Sequence, residues 1–303
     1  MKTLDLVRAA PHVRLHKDAV FVLKVGGGSL RKPAALRRFA EEVAVVHALG
    51  SRLVVVHGGG PQSDELQRLF GEEPRKVDGR RVTTPAALRA LRQATAGELT
   101  GSLTLALGQA GVPAVGVHGT TDGLLVARRR PPVVTSGGVV DFGEVGDLVA
   151  SDPAPLLALL ADGRVPVVSP PASDGAGGAL NVNADLTAAE LAIALGAPKL
   201  VLVTGAPGVL RTAGDPTSLC STLTLAELEE LGDAGHLQDG MAVKAAAIAR
   251  ALEGGVGRVH VVSGAEPGAL LQELYTNQGS GTLVTLEAPT VPAAADLAAE
   301  VTT

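Results

Sequence analysis

Val54-Val55-Val56-His57-Gly58-Gly59-Gly60-Pro61 is the stretch on which the fold turns. Its β-branched apolar residues read as a buried strand, its glycines as a loop without side chains, and its proline as the opening of a helix. Bare backbone N–H groups beside the positive end of a helix suit an anion. An ordinary tight strand-to-helix turn would look the same, so the rest of the chain has to decide.

The pattern recurs upstream. Val20–Lys24 is a second buried-type strand, followed by Gly26-Gly27-Gly28-Ser29 and a helical run from Pro33 to about Leu49. Lys24 is a charge at the end of an apolar strand, where ligands sit in doubly wound sheets. Downstream, strand signals at Ala114–Val117, Val165–Ser169, Leu200–Thr204, Val259–Val262 and Thr282–Leu286 alternate with helical runs. Thr84-Pro85 is a helix cap that opens a long helix to about Ala110. Residues 4–14 predict a short amphipathic helix, and Val126–Val140 a hairpin turning at Ser136-Gly137-Gly138. The alternation predicts an α/β fold: a mainly parallel open sheet sandwiched by helices. A break near 175–185 predicts two lobes, residues 1–180 and 181–303, with a loose tail from about 287.

Composition narrows the function. The chain has 303 residues, enough for a large core, and is 46% hydrophobic. Aromatic residues are only 2%, so stacking on bases or sugars is not a theme, and a net charge of −5 without a long basic run argues against nucleic acid or anionic membrane. Cys220 stands alone, so no intrachain disulfide can form, and a reduced cytoplasm is expected. Neither a membrane span nor a signal peptide's apolar core is apparent. The glycine loops suggest phosphate, yet neither G-x-x-x-x-G-K-[ST] nor a complete G-x-G-x-x-G occurs, which excludes a P-loop and disfavours a dinucleotide site. Structural-zinc spacing and a G-x-S-x-G elbow are likewise absent. What remains is two lysines beside glycine turns, Lys24 and Lys244, and a helix start carrying Asn181, Asn183 and Asp185. Phosphoryl transfer needs cations and backbone donors around the moving group, and Asp185 could orient both ammonium groups.

Seven motifs in order then resemble one family. Lys24-Val25-Gly26-Gly27, Val56-His57-Gly58-Gly59-Gly60-Pro61, Arg81-Val82-Thr83, Asp141-Phe142-Gly143-Glu144-Val145-Gly146-Asp147, Asn181-Val182-Asn183-Ala184-Asp185, Pro207-Gly208-Val209 and Gly240-Met241-Ala242-Val243-Lys244 look like the amino acid kinase family, in its acetylglutamate kinase branch. The resemblance implies ATP with Mg2+ carried on the nucleotide, and N-acetyl-L-glutamate as phosphoryl acceptor. It implies that Lys24 and Lys244 stabilise the transition state and that Asp185 positions them. Gly27 and Gly28, with Gly59 and Gly60, would offer backbone donors to phosphoryl group and substrate. Arg81 and Asn181 would hold the substrate's α-carboxylate and acetamido end. Gly205, Gly208, Val209 and Leu210, with His236, Leu237 and Gln238, would line the ATP site. The nearest rival is the same chemistry on N-acetyl-aminoadipate; a different class is a catalytically dead effector-binding scaffold.

Three departures matter. His118-Gly119-Thr120-Thr121-Asp122-Gly123 is one residue longer than the family's usual loop on the acyl-substrate side, and Gly205 stands where the family has Asp or Asn. The run Leu6–Val13 is similar to the extra N-terminal helix of arginine-inhibited hexameric members, and His260 and Gly281 fit their effector site. Gln278 stands where those members carry a glutamate. The expectation is a homodimer or hexamer in which arginine binds weakly or not at all.

Overall fold

The computed structural model describes residues 6–135, 137–237 and 240–288. The first half runs α1 (Leu6–His16), β1 (Val20–Val25), α2 (Pro33–Ala48), β2 (Arg52–His57), α3 (Gly60–Leu69), the short strands β3 (Lys76–Val77) and β4 (Arg80–Arg81), α4 (Pro85–Arg92), a π-helical segment Gln93–Leu99, α5 (Thr100–Gln109) and β5 (Ala114–His118). Next come β6 (Leu125–Arg129), β7 (Val133–Thr135), β8 (Gly138–Val140), β9 (Gly146–Ser151), α6 (Ala154–Ala161), β10 (Val165–Ser169), β11 (Ala172–Ser173) and β12 (Ala179–Leu180). The chain continues through α7 (Ala184–Ala194), β13 (Lys199–Thr204), β14 (Thr222–Thr224), α8 (Leu225–Asp233), α9 (Gly240–Glu253), β15 (Arg258–Ser263), α10 (Ala269–Tyr275) and β16 (Thr282–Thr285).

An 8-stranded sheet in the order β14-β16-β15-β13-β1-β2-β10-β5 carries the molecule. All its pairings are parallel except β15 with β16. Its central strands are apolar along their length because helices cover both faces; β1 and β13 are buried at every position. One core cluster packs α7, α8 and α9 on one face, and a second packs α2, α5 and α10 on the other. The chain leaves β1 for β2 on one side and returns as β13 on the other, so the switch point of the sheet lies at β1. Lys24 aligns there with Val56 and Leu202, which brings the C-terminal ends of three strands and their glycine loops together.

The expected mainly parallel sheet is present, with two local corrections. Val126–Val140 is not one hairpin: β6 pairs antiparallel with β9, and only β7 and β8 form a hairpin. The period-2 pattern could not tell which partner β6 takes, because that partner lies beyond the turn. The helix from Thr84 is capped as expected, Thr84 accepting from Ala87 N at 3.0 Å, but it widens into the π segment before α5. Ser136 of the expected turn and the tail from 289 lie outside the described residues.

The expected N-terminal helix is α1. It anchors through His16, which is 1% exposed and lies edge-on to Phe21 and Tyr275 with ring centroids 5.0 and 5.3 Å away. Burial, reinforced by the positive charge of Lys199, lowers the His16 pKa to about 3. The folded pKa lies below the unfolded one, so between the two the unfolded chain binds more protons and stability falls as pH falls. Urea unfolding should therefore weaken from about pH 6.5 downward by up to about 1.4 kcal/mol per pH unit from this group. The variant His16→Leu should have a shallower slope over that window; an unchanged slope would exclude His16 as its source.

Candidate functional site

Three elements meet at the switch point. Lys24 ends β1, Asp185 lies in the first turn of α7, and Lys244 lies in the second turn of α9. Lys24 Nζ is 2.7 Å from Asp185 Oδ1, and Lys244 Nζ is 3.3 Å from Asp185 Oδ2. Lys24 and Asp185 are each 5% exposed. Asn183 fixes the start of α7 by accepting from Asp185 N at 2.8 Å and Leu186 N at 3.0 Å. Burial alone would push the Asp185 carboxyl up, yet Lys24 and Lys244 carry it below its ordinary range, so it is ionised. Burial also lowers the Lys24 pKa, opposed by Asp185 and aided by Lys244. The result is one carboxylate flanked by two ammonium groups, with positive charge in excess.

The two glycine loops close against this centre. A Cβ on Gly27 would meet Gln62 Oε1 at 2.7 Å and Gly59 Cα at 2.9 Å, so the loops touch and only glycine permits it. Gln62 Nε2 donates to Gly27 O at 2.9 Å and ties one loop to the other. A Cβ on Gly59 would meet Thr95 Cγ2 at 2.4 Å, because the π segment presses against it. His57, fully buried at the end of β2, spans Gly58 O (Nδ1, 3.2 Å) and Thr100 Oγ1 (Nε2, 2.9 Å). Burial lowers its pKa to about 4, so it is neutral at physiological pH and serves as a brace. A Cβ on Gly28 would meet nothing within 4 Å, and the same holds for Gly205 and Gly240. At each of these three the backbone is open to solvent.

Arg81 lies over the second loop. Its Nη2 donates to Gly60 O at 3.1 Å, its Nη1 donates to Gln67 Oε1 at 3.2 Å, and its Nη2 pairs with Asp64 Oδ1. Asn181 donates from Nδ2 to Thr83 Oγ1 at 3.0 Å, and its backbone bonds Glu144 O and Gly146 N. Arg81-Val82-Thr83, the segment 142–146 and Asn181 thus form one hydrogen-bonded patch leading to Asp185. Gln62, Asp64 and Gln67, all on α3, escape sequence reasoning, although the spacing of Asp64 and Gln67 from Gly60 marks a helical face.

The expected nucleotide-lining residues divide. Gly205 is exposed at the end of β13, the same end as Gly26, whose N donates to Val203 O at 3.2 Å. Gly208 is a packing position, since a Cβ would meet Thr282 Oγ1 at 2.6 Å. Val209 is fully buried and its N donates to Thr282 Oγ1 at 2.8 Å. Leu210 bridges to Leu219, and His236 Nδ1 donates to Arg211 O at 2.6 Å. Leu237 belongs to the core and lines an apolar cavity of about 270 Å³ between α8 and α9. Gln238 lies outside the described residues. A larger cavity of about 530 Å³, lined by Arg89, Arg92, His118 and Glu144 among others, sits beside the sheet edge and includes none of the lysine–aspartate centre.

A second buried polar cluster surrounds His260. His260 Nδ1 donates to Glu273 Oε1 at 2.7 Å, and Ser280 N and Gly281 N donate to Glu273 Oε2 at 2.7 and 3.0 Å. Burial alone would raise Glu273, but its bonds from His260 and the two amides hold it low. The carboxylate beside His260 and Gly281 is therefore Glu273, which the sequence reading overlooked; Gln278 is exposed.

Known proteins resemble this chain along most of its length. The profile of the amino acid kinase family matches residues 19–263. The acetylglutamate kinase of Myxococcus xanthus is 43% identical over 296 residues, 96% of this chain and 96% of its own. That of Archaeoglobus fulgidus is 34% identical over 92% of this chain and 97% of its own. Among solved structures, N-acetylglutamate synthase from Neisseria gonorrhoeae, complexed with coenzyme A and N-acetyl-glutamate, superposes with a TM-score of 0.82 at 30% identity, covering 99% of this chain and 68% of that one. The same synthase complexed with coenzyme A and L-arginine gives a TM-score of 0.80 at 29% identity, covering 95% and 66%.

The loop geometry yields a test that needs no assay of function. Gly59→Ala should lower unfolding free energy by about 1–3 kcal/mol, because Thr95 and Leu99 must move. Gly28→Ala should leave it within about 0.5 kcal/mol of the parent. Urea denaturation of both variants checks the contrast, and equal effects would refute the assignment of Gly59 as a packed position and Gly28 as an open one.

Proposed function

The chain belongs to the amino acid kinase family, and we infer that it transfers the γ-phosphoryl group of ATP to the γ-carboxylate of N-acetyl-L-glutamate, forming N-acetyl-L-glutamyl 5-phosphate for arginine biosynthesis. The observation that carries this reading is Asp185, holding Lys24 and Lys244 against two touching glycine loops.

The acceptor carboxylate is ionised at neutral pH, so no general base is required. An oxygen–phosphorus bond forms to the carboxylate, the β–γ bridging bond breaks, and ADP leaves with the electron pair. The obstacle is repulsion between two anions. Lys24 and Lys244 supply fixed positive charge, and the loops with the N-termini of α3 and α7 supply backbone donors where equatorial oxygens would lie. Gly27 and Gly28 would serve the phosphoryl group, Gly59 and Gly60 the acceptor, Arg81 and Asn181 its α-carboxylate and acetamido end. The open amide of Gly205 fits the nucleotide side; Val209 and Leu237 would act there as supporting core. Mg2+ would arrive with the nucleotide: among the described residues no cluster of three His, Cys, Asp or Glu could hold a metal ion, and Asp185 spends both oxygens on lysines. On this reading residues 1–180 bind the acyl amino acid and residues 181–303 bind ATP.

A homodimer is the assembly the exposed edge of β5 supports, since an uncovered edge strand invites a partner. Leu15 of α1, 64% exposed, supports further association toward a hexamer. Buried Cys220 accords with a cytoplasmic setting, and no described helix is long and apolar enough to cross a membrane. The second polar cluster suggests arginine as an effector. Glu273 supplies a carboxylate for a guanidinium, so Gln278 no longer argues for weak binding.

Trapping the acyl phosphate as a hydroxamate tests these roles. N-acetylglutamate should give product and N-acetyl-aminoadipate much less; no product with either acid would favour a binding scaffold. Lys24→Ala and Lys244→Ala should each cost about 10²–10³ in kcat, and near-normal turnover in either removes its role. Arginine should inhibit the parent, and Glu273→Gln should raise the inhibitory concentration about tenfold or more; equal inhibition of both would exclude Glu273 as its partner.

A further inference from the structure

Arg81 stands on a minimal support. β3 and β4 are two residues each, joined by Asp78-Gly79, both with positive φ. So short a hairpin does not hold a side chain still by itself. What holds it is α3. Asp64 takes Arg81 Nη2 and also stands 3.5 Å from Lys76 Nζ. Lys76 and Arg81 face each other across the hairpin, so one carboxylate grips both strands at the same rung. Gln67 Oε1, on a residue 1% exposed, and Gly60 O take the other contacts. Gly60, Asp64 and Gln67 follow one face of α3 at intervals of four and three residues. Arg81 thereby has acceptors on both terminal nitrogens, Nη2 taking two of them, and among the described residues no hydrogen bond is made by Nε.

The same helix begins at the second glycine loop. Its first residue, Gly60, both bonds Arg81 and belongs to the loop that faces the centre. One rigid element therefore carries both a group that reads a carboxylate and the amides beside the phosphoryl position. We propose that α3 is a ruler for acceptor length, and that Asp64 is the positioning residue that sets it by locking the Arg81 fork onto the helix. The inference rests on the proposed reading of the site, in which Arg81 receives the acceptor's α-carboxylate. With the fork fixed, an acid one methylene longer brings its terminal carboxylate to the wrong depth against Gly59 and Gly60. With the fork loose, Arg81 can follow the longer acid, and the shorter one loses its fixed partner.

Steady-state kinetics of Asp64→Asn and Gln67→Leu on both acids test this. The parent enzyme is measured first: if it makes no acyl hydroxamate from N-acetylglutamate, the proposed function fails before the ruler is in question. If it does, Asp64→Asn should raise KM for N-acetylglutamate about tenfold or more, with kcat within about threefold and KM for ATP unmoved. The preference for N-acetylglutamate over N-acetyl-aminoadipate, as a ratio of kcat/KM, should fall at least about threefold. Gln67→Leu should move the same quantities in the same direction, less far. Asp64→Glu, which keeps the charge, should recover part of the KM but not the selectivity. A fall in kcat at unchanged KM, or an unchanged selectivity ratio in both Asp64→Asn and Gln67→Leu, would overturn the proposal and reduce Asp64 to a fold-stabilising role.

Discussion

Two lysine ammonium groups share one buried carboxylate, and the rest of the molecule is arranged to keep them there. Removing Asp185 would leave Lys24 buried without a counter-charge, a situation worth several kcal/mol of destabilisation. The pairing is therefore a structural bond among β1, α7 and α9 as well as a source of positive charge. It also leaves the centre with one cation more than it has anions. A site built that way attracts a polyphosphate and a carboxylate together, which is what transfer between them demands. The neutral brace at His57 serves the same end from below, fixing the loop without adding a charge that would shift with pH.

The fold was legible because its strongest demands fall on backbone. Apolar strands that end in glycine must be buried and must stop where no side chain fits, and both requirements are written locally. Lys24, Asp185 and Lys244 were legible for a related reason: a charge at the end of an apolar strand or in the first turns of a helix is conspicuous. Asp64 and Gln67 were not, because their partner is reached only once the hairpin folds back on α3, and Gln62 was not, because its partner is Gly27 of the other loop. Glu273 was hidden in the same way. It sits in an apolar run, Leu270-Leu271-Gln272-Glu273-Leu274, and only the strand behind it reveals the histidine it pairs with. Sequence spacing reports neighbours along a chain; these residues work with neighbours across it.

The nucleotide side divides differently. Gly208 and Val209 are motif residues, and Leu237 an expected lining residue, whose positions belong to the core. A motif residue need not touch ligand: Gly208 lets the chain pass Thr282 and Leu219, and so shapes the segment from Gly205 onward. The sequence pattern does not distinguish wall from foundation.

The π segment between α4 and α5 has a wider meaning. An α-helix turns about 100° per residue, so a turn with wider spacing shifts the phase of everything after it. Before the slip, α4 packs against α3; after it, α5 packs against α2 and the sheet edge. The backbone N–H of Thr100 reaches the carbonyls of Thr95 and Gly97, so the wider turn keeps its hydrogen bonds. The segment thus works as a vernier between two mechanical systems, one that carries the Arg81 hairpin and one that belongs to the rigid sheet. Its seven residues are where a length change in the chain would dephase the two, even though none of them is charged except Glu98.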